Sequence, residues 1–260
     1  MRVSEVYEAI DARSPFESAL SWDNSGLLVG DMEAEVSGVY LAVDATDEVI
    51  EAAAARGASL IITHHPMIFT SISRVTEDDM TGRRVLRLVR EGISLICMHT
   101  NYDIYGMAQE AAKRLGLVDP VVLDVCGSDE DGPFGIGRTG ALEKPLSLRD
   151  LCEKVKKVFF VDQVRMFGDP DAKVGIAAIC PGSGKSVIGE AISQGADVLI
   201  TGDIDHHNGI DAVMQGISII DAGHYGIEKL FMEDMFSFLG EAFPELKVYT
   251  HPVAQPWEVI

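Results

Sequence analysis

Ser59-Leu60-Ile61-Ile62-Thr63-His64-His65-Pro66 joins an apolar run to two adjacent histidines. The run predicts a buried strand, and Pro66 ends it because proline has no amide hydrogen to give to a sheet. His64 and His65 therefore lie at the carboxyl end of a strand, where open α/β sheets bind their ligands. Because adjacent residues on a strand point to opposite faces, we expect the chain to turn here so that both histidines face one site.

The strand, helix, strand order around this stretch recurs in the second half of the chain. The first copy has a strand at 39–43, an alanine-rich helix at 47–55 and the strand just described, and the second has matching segments at 174–179, 187–193 and 197–201. Two further strands, 93–98 and 216–220, each lead to a histidine, His99 or His224. Asp103 and Glu228 follow those histidines after four residues. The repeat predicts an α/β fold of two similar lobes that share one site.

The repeat also suggests where the lobes begin and end. We expect the first lobe at residues 1–124 and the second at 125–245, with a glycine- and acid-rich connector at 127–140. A late strand at 248–253 is expected to return to the sheet of the first lobe, which would join 246–260 to that lobe. The polar segment 99–103 is expected to be a loop before a helix at 108–115.

Five residues at or just after predicted strand ends have side chains that bind transition metals. Histidine combined with carboxylate is the usual ligand mixture for Zn, Mn or Fe. Glu228 lies four residues after His224 where a helix begins, so the two side chains share one helix face. Five ligands are too many for one tetrahedral ion and suit a dinuclear centre between the lobes, in which the two carboxylates bridge. The predicted ligands are His64, His65, Asp103, His224 and Glu228.

Each candidate also has an ordinary structural interpretation. An adjacent histidine pair is commonly a surface or helix-capping feature, and a carboxylate after a strand, such as Asp103, commonly caps a helix. His206 and His207 form a second pair near Asp203 that competes for the role of ligand, and we favour a supporting or substrate-facing role for the pair and for Asp203. His99 is predicted to orient a ligand from the second coordination sphere.

One further stretch imitates a known motif. Pro181-Gly182-Ser183-Gly184-Lys185-Ser186 ends like a phosphate-binding loop between a strand and a helix. However, the first glycine of that motif would fall on Ile179, inside the predicted strand. A nucleoside triphosphatase is therefore disfavoured.

Composition excludes several classes of function. The 260 residues have a formal net charge of −20, which disfavours binding to nucleic acid or to an anionic membrane, and the arginines at 83–90 are interpreted as a solvated helix face. No apolar run is long enough for a membrane span, and the first residues lack a secretory pattern, so we expect a cytoplasmic protein. The four cysteines are far apart in the sequence and are interpreted as reduced thiols.

Several motifs together resemble those of a known family. They are Trp22-Asp23-Asn24 with Gly26 and Gly30, His64-His65-Pro66, His99-Thr100-Asn101 with Asp103, Thr201-Gly202-Asp203, and Asp221-Ala222-Gly223-His224 with Glu228. Over essentially its whole length the chain resembles the Nif-three-like dinuclear-metal proteins, also called homologues of GTP cyclohydrolase I type 2. The resemblance implies two divalent metal ions (Zn, Mn or Fe) held by the five predicted ligands. It also implies a toroidal homohexamer with the metal sites facing an internal cavity.

The resemblance further implies a reaction class. Two bridged metal ions lower the pKa of a bound water, which then provides hydroxide near neutral pH. We therefore expect a dinuclear metal-dependent hydrolase that acts on a nucleotide-like small molecule, by attack on a purine ring carbon or on a phosphoester. Asn24 and His207 are predicted to contact the substrate. The alternative is a non-catalytic metal-binding or regulatory assembly protein, because that function would need the same ligands.

Overall fold

The computed structural model describes residues 1–255 and 257. The chain forms two compact units, of which the first comprises Met1–Tyr102 and Phe231–Ala254 and the second consists mainly of Asp103–Leu230. This division differs from the one expected from the sequence, which began the second lobe at residue 125. The difference arises because residues 103–124 belong to the second unit, in which Leu117–Asp129 form a strand, and residues 231–245 belong to the first.

The elements alternate between strands and helices along most of the chain. The strands are β1 (Gly26–Val29), β2 (Val39–Ala42), β3 (Leu60–Thr63), β4 (Ser94–Cys97), β5 (Leu117–Asp129), β6 (Gly132–Ser147), β7 (Arg165–Phe167), β8 (Lys173–Ser183), β9 (Val198–Gly202), β10 (Ser218–Asp221) and β11 (Val248–Thr250). The helices are α1 (Val3–Arg13), α2 (Asp47–Ala55), α3 (Met80–Glu91), α4 (Thr100–Tyr102), α5 (Ala108–Leu115), α6 (Leu148–Phe159), α7 (Ile188–Ser193), α8 (His206–Met214), α9 (His224–Glu228) and α10 (Leu230–Ala242).

The sheet of the first unit has the strand order β1-β4-β3-β2-β11. Strands β4, β3, β2 and β11 are parallel, and β1 closes the edge antiparallel to β4. All residues of β2, β3 and β4 are buried, as expected for parallel strands that are covered on both faces. The pairing of β11 with β2 confirms that the late strand returns to the first sheet.

The sheet of the second unit has the order β5-β6-β8-β9-β10-β7. Strands β8, β9 and β10 are parallel, β7 lies antiparallel to β10, and the long hairpin β5–β6 lies antiparallel to β8. The predicted connector at 127–140 is wrong, since this segment is the tip and second strand of that hairpin. Its glycines serve strand packing: a Cβ on Gly135 would lie 1.9 Å from the carbonyl oxygen of Asp124.

The two sheets confirm the internal repeat. Three neighbouring parallel strands lie in chain order in each sheet: β2, β3 and β4 in the first, and β8, β9 and β10 in the second. A short strand, β1 or β7, lies antiparallel beside the last of the three. The registers agree as well, because Leu60 lies opposite Ser94 in the first sheet and Val198 lies opposite Ser218 in the second. The fold is therefore a duplicated α/β architecture.

Local signals explain the helices that separate these strands. The Thr46 hydroxyl accepts a hydrogen bond from the backbone N–H of Val49 at the start of α2 (3.2 Å), and Asp79 caps α3 in the same way through Gly82 (2.7 Å). Gly92 ends α3 in the left-handed conformation. Among the described residues, no helix has the length and apolar character needed to cross a membrane.

Candidate metal centre

The chain turns at the end of β3 and brings His64 and His65 together. The Thr63 hydroxyl donates a hydrogen bond to the backbone oxygen of His65 (2.9 Å), and the His65 N–H donates to the carbonyl of Val43 (2.8 Å). The two imidazole centroids lie 5.0 Å apart. The turn that the sequence required for both histidines to face one site is therefore present.

His99 joins this pair from the end of the neighbouring strand, β4. Its ring centroid lies 5.3 Å from that of His64 and 5.7 Å from that of His65. The nitrogens that the three rings can offer to an ion all lie within 4.8 Å of one another. His64 is buried and the other two are partly buried. We call these three residues the histidine cluster.

Every ring of the histidine cluster is held through Nδ1. The Nδ1 atoms of His64, His65 and His99 lie 2.8 Å from the Met98 carbonyl, 2.9 Å from Asp44 Oδ1 and 2.7 Å from Asp23 Oδ1. A carbonyl or carboxylate oxygen only accepts, so each Nδ1 carries the hydrogen and each Nε2 of a neutral ring keeps its lone pair. Metal-binding histidines have this arrangement, in which an outer acceptor fixes the tautomer and orients the ring.

Asp23 is held in its ionised form. Burial by itself raises the pKa of this carboxyl, but hydrogen bonds from His99 and Thr100 outweigh burial and hold the pKa well below its usual range. The Thr100 hydroxyl and backbone N–H both donate to Asp23 Oδ2, at 2.6 and 3.0 Å. The charge beside His99 is therefore present throughout the neutral pH range.

The second unit pairs an imidazole with a carboxylate on α9. His224 begins this helix, and Glu228 lies one turn later on the same face. His224 Nε2 and Glu228 Oε2 lie 3.2 Å apart. Donor atoms bound to one ion at about 2.0–2.2 Å are roughly 3.0–3.5 Å apart, so these two atoms can bind the same ion.

Asp203 orients His224. It follows β9, and its Oδ2 accepts a hydrogen bond from His224 Nδ1 (2.7 Å). The backbone of Asp203 has a φ of +56°, a conformation that few residues other than glycine, asparagine and aspartate adopt. Buried Asp221 holds the residues next to Asp203 and His224, because it accepts hydrogen bonds from the backbone N–H groups of Ile204 (3.0 Å) and Gly223 (2.9 Å). Asp221 also forms an ion pair with Arg165.

Two glycines leave room for the α9 residues. A Cβ on Gly182 would lie 2.4 Å from Glu228 Oε1 and 3.7 Å from His224 Nε2, and its φ of +71° also favours glycine. A Cβ on Gly202 would lie 2.6 Å from the backbone nitrogen of His224. The glycines of the stretch that imitates a phosphate-binding loop thus include one that makes space for a carboxylate.

Asp103 begins a π-helical turn, Asp103–Met107, directly after α4. The predicted loop over 99–103 is therefore wrong for most of its length, because a short helix starts at Thr100. Single π turns interrupt helices most often at functional sites. Asp103 is partly buried and belongs to the second unit, as do His224 and Glu228.

The remaining predicted residues lie on loops or at a helix start. The Asn24 side-chain amide donates to the Ile68 carbonyl (2.5 Å). His207 is exposed in the first turn of α8, where its backbone N–H donates to the capping residue Asp205 (3.1 Å). Substrate roles for Asn24 and His207 stay predictions, and so do the supporting roles of Asp203 and His99.

His251 provides an internal contrast. Its Nδ1 lies 3.1 Å from the hydroxyl of Tyr40, a group that can both donate and accept, so the contact does not fix the tautomer.

Asp23 and Asp44 were not predicted from the sequence as hydrogen-bond partners of histidines. A usable signal existed for Asp44, because a carboxylate just after a strand lies at the same sheet edge as the histidines of the next parallel strand.

Comparison with known proteins agrees with the fold. A profile of the family Duf34/NIF3 (NGG1p interacting factor 3) matches residues 1–256. A Clostridium acetobutylicum protein named GTP cyclohydrolase 1 type 2 homolog is 34% identical over 238 residues, which cover 88% of this chain and 85% of that protein. A Staphylococcus aureus hypothetical protein of known structure matches with a TM-score of 0.90 and 28% identity, covering 100% of this chain and 99% of the other. A Bacillus cereus protein related to NIF3 shares the fold, with a TM-score of 0.90, 20% identity and the same coverage.

Proposed function

The chain belongs to the DUF34/NIF3 family, and from this premise we propose that it is a dinuclear metal-dependent hydrolase acting on a nucleotide-like small molecule. The name of the relative at 34% identity, GTP cyclohydrolase 1 type 2 homolog, supports this reaction class. The proposed ligands of two divalent ions (Zn, Mn or Fe) are His64, His65, Asp103, His224 and Glu228. Asp103 and Glu228 are proposed to bridge the ions.

One observation carries the proposal. Each of the proposed histidine ligands, and His99 beside them, has its Nδ1 within 2.9 Å of a carbonyl or carboxylate oxygen. Surface or capping histidines have no need of such an acceptor, whereas metal ligands depend on one for orientation and basicity. The imidazoles of the first unit, and the imidazole with carboxylates of the second, are donors that suit Zn, Mn or Fe.

When bound, divalent ions of this kind polarise a substrate oxygen and lower the pKa of water. The chain adds a proton acceptor of its own. His99 donates its Nδ1 hydrogen to Asp23 (2.7 Å), so Nε2 can take a proton from a reacting group. Ionised Asp23 then stabilises the imidazolium that forms, in the manner of a buried carboxylate behind a catalytic histidine.

A homohexameric assembly, which the family resemblance supports, is also part of the proposal, and so is a cytoplasmic location, which was expected from the sequence pattern. Sedimentation velocity of the purified chain tests the assembly. A single species of about six chain masses is expected, and a monomer that keeps its metal would contradict the hexamer.

The experiment for function is a turnover screen of metal-loaded protein against GTP and a panel of phosphoesters, with products identified by mass spectrometry. We expect turnover of at least one compound, and a loss of about 100-fold or more in Asp103→Ala. Asp211→Ala, an exposed carboxylate on α8, is the matched control and keeps full activity. Turnover that persists at the wild-type rate in Asp103→Ala would contradict the site. A metal-loaded protein that turns over nothing would instead favour the non-catalytic assembly protein.

A further inference from the structure

Two large aromatic side chains of the first unit remain in contact with solvent. Trp22 is 58% exposed and Phe69 is 55% exposed, although their rings lie with centroids 6.0 Å apart at an angle of 60°. Burial of an aromatic side chain is strongly favourable, so an exposed pair of this size commonly marks a binding surface. The edge-to-face geometry leaves the pair as an open corner rather than a closed stack.

Hydrogen bonds hold the corner although its two residues come from separate loops. The Asn24 amide donates to the carbonyl of Ile68 (2.5 Å), which ties the segment two residues after Trp22 to the residue before Phe69. Between Trp22 and Asn24, the Asp23 side chain accepts hydrogen bonds from His99 and Thr100. A preorganised aromatic pair loses little entropy when a ligand binds to it.

The corner lies against the histidine cluster. The His99 ring centroid is 6.0 Å from that of Trp22 and 6.4 Å from that of Phe69. A planar ring stacked on either aromatic side chain would therefore have an edge near His99. The chain has a formal net charge of −20, which repels free phosphate, so contacts to an uncharged ring are the more favourable means of recognition.

We infer that Trp22 and Phe69 form a stacking platform that selects ligands with a flat aromatic ring, such as a nucleobase, and positions that ring beside His99. The inference rests on the proposed function for the identity of the site. It adds the recognition element and the ligand class, because a simple phosphoester without a ring would gain nothing from the platform.

Tryptophan fluorescence gives a direct test, because the chain has two tryptophans. In a Trp257→Phe background the emission comes from Trp22. Guanosine 5′-monophosphate is expected to quench it saturably, uridine 5′-monophosphate more weakly, and ribose 5-phosphate not at all. By calorimetry, Trp22→Ala is expected to weaken the binding of guanosine 5′-monophosphate about 10-fold, Phe69→Ala about threefold, and Trp22→Phe less than Trp22→Ala.

Phe236→Ala is the matched control. Phe236 is 48% exposed on α10 and lies five residues after Phe231, whose ring packs 5.6 Å from that of His64. Five residues turn a helix by about 140° beyond a full turn, so Phe236 points away from the cluster. Binding by this variant should equal that of wild type.

Three results would overturn the inference. In the first, guanosine 5′-monophosphate binds no more tightly than ribose 5-phosphate. In the second, Trp22→Ala binds guanosine 5′-monophosphate with wild-type affinity. In the third, Trp22→Ala sediments as a smaller assembly than wild type, which would make the corner an interface between copies. Metal content separates this failure from failure of the proposed function. An Asp103→Ala variant that keeps all its metal refutes the metal site, whereas full metal content without ring binding refutes the platform alone.

Discussion

The ends of β3 and β9 occupy matching places in the two sheets and carry different chemistry. The end of β3 has the sequence Thr63-His64-His65, and the end of β9 has the sequence Thr201-Gly202-Asp203. Where the first unit has His64, the second has Gly202, whose missing Cβ lets the His224 backbone approach. Where the first has His65, held by Asp44, the second has Asp203, which itself holds His224. At equivalent positions on one scaffold, the first unit thus has the proposed ligands and the second has a glycine and a hydrogen-bond acceptor for the proposed ligand His224.

The units also divide the ligand types. Of the proposed ligands, the first has His64 and His65, and the second has His224 with the carboxylates Asp103 and Glu228. In each unit the histidine after the last parallel strand, His99 or His224, has its Nδ1 on a carboxylate that is distant in sequence. The two units are therefore more alike in how these histidines are held than in the side chains proposed to bind metal.

The largest effect on stability is expected when Gly202, the counterpart of His64, is replaced by a residue with a Cβ. Gly202→Ala places a Cβ 2.6 Å from the His224 nitrogen and 2.7 Å from the Gly223 carbonyl carbon, which are backbone atoms that cannot move aside. We expect a loss of about 1–3 kcal/mol in the free energy of unfolding, measured by denaturant titration of the metal-free protein.

Gly189→Ala is the control for this variant. Gly189 lies in α7, and a Cβ there would meet no atom within 4 Å. Alanine should therefore stabilise the helix by about 0.5–1 kcal/mol. Equal stability of Gly202→Ala and wild type would show that the backbone does not need a glycine at this position.

Asp203→Asn tests the support of His224. Asparagine still accepts from Nδ1 and tolerates a positive φ, but it lacks the charge that makes the imidazole a stronger ligand. We expect metal affinity to fall about 10-fold, measured by competition with a chelator, without loss of stability because the Asp203 side chain is 57% exposed. Asp211→Asn should bind metal like wild type. An unchanged affinity in Asp203→Asn would leave Asp203 with a purely structural role.

The smallest effect concerns Asp23 and depends on pH. Its pKa is lowered in the folded chain, so its stabilising contribution is fully present above the unfolded pKa of about 3.9 and is lost as the pH falls below that value. Asp23→Asn should destabilise the metal-free protein by only about 0.5–1 kcal/mol at neutral pH, because asparagine keeps one acceptor oxygen, and by less near pH 3. Denaturant titrations at both pH values measure this difference. If the difference in free energy of unfolding between wild type and Asp23→Asn is the same at both pH values, the charge of Asp23 contributes nothing to stability.

The repeat and the parallel strands could be predicted because buried strands appear as short apolar runs that end in recognisable signals. Gly116 is an example, since it ends the helix that was predicted at 108–115. The hairpin β5–β6 could not be predicted in this way. Its outer strand is an exposed edge, with Val121 and Val125 both more than half exposed, so the alternation of buried and exposed residues that marks a strand is weak there.

The support of the histidines was equally hard to predict. Asp23 reaches His99 across 76 residues and Asp203 reaches His224 across 21, so nothing local in the sequence marks either pair. The histidines themselves were predictable, because they follow strands whose order fixes the sheet edge at which they meet. The positive φ at Asp203 likewise has no local signal in the sequence.

Metal stoichiometry tests the central claim, that both units contribute ligands to one dinuclear centre, most directly. The purified wild type, His64→Ala from the first unit and Glu228→Gln from the second are compared by inductively coupled plasma mass spectrometry, with Glu241→Gln on the exposed face of α10 as the control. The account predicts about two ions per chain in wild type and control, and at most about one in each ligand variant. Wild-type metal content in either His64→Ala or Glu228→Gln would contradict it.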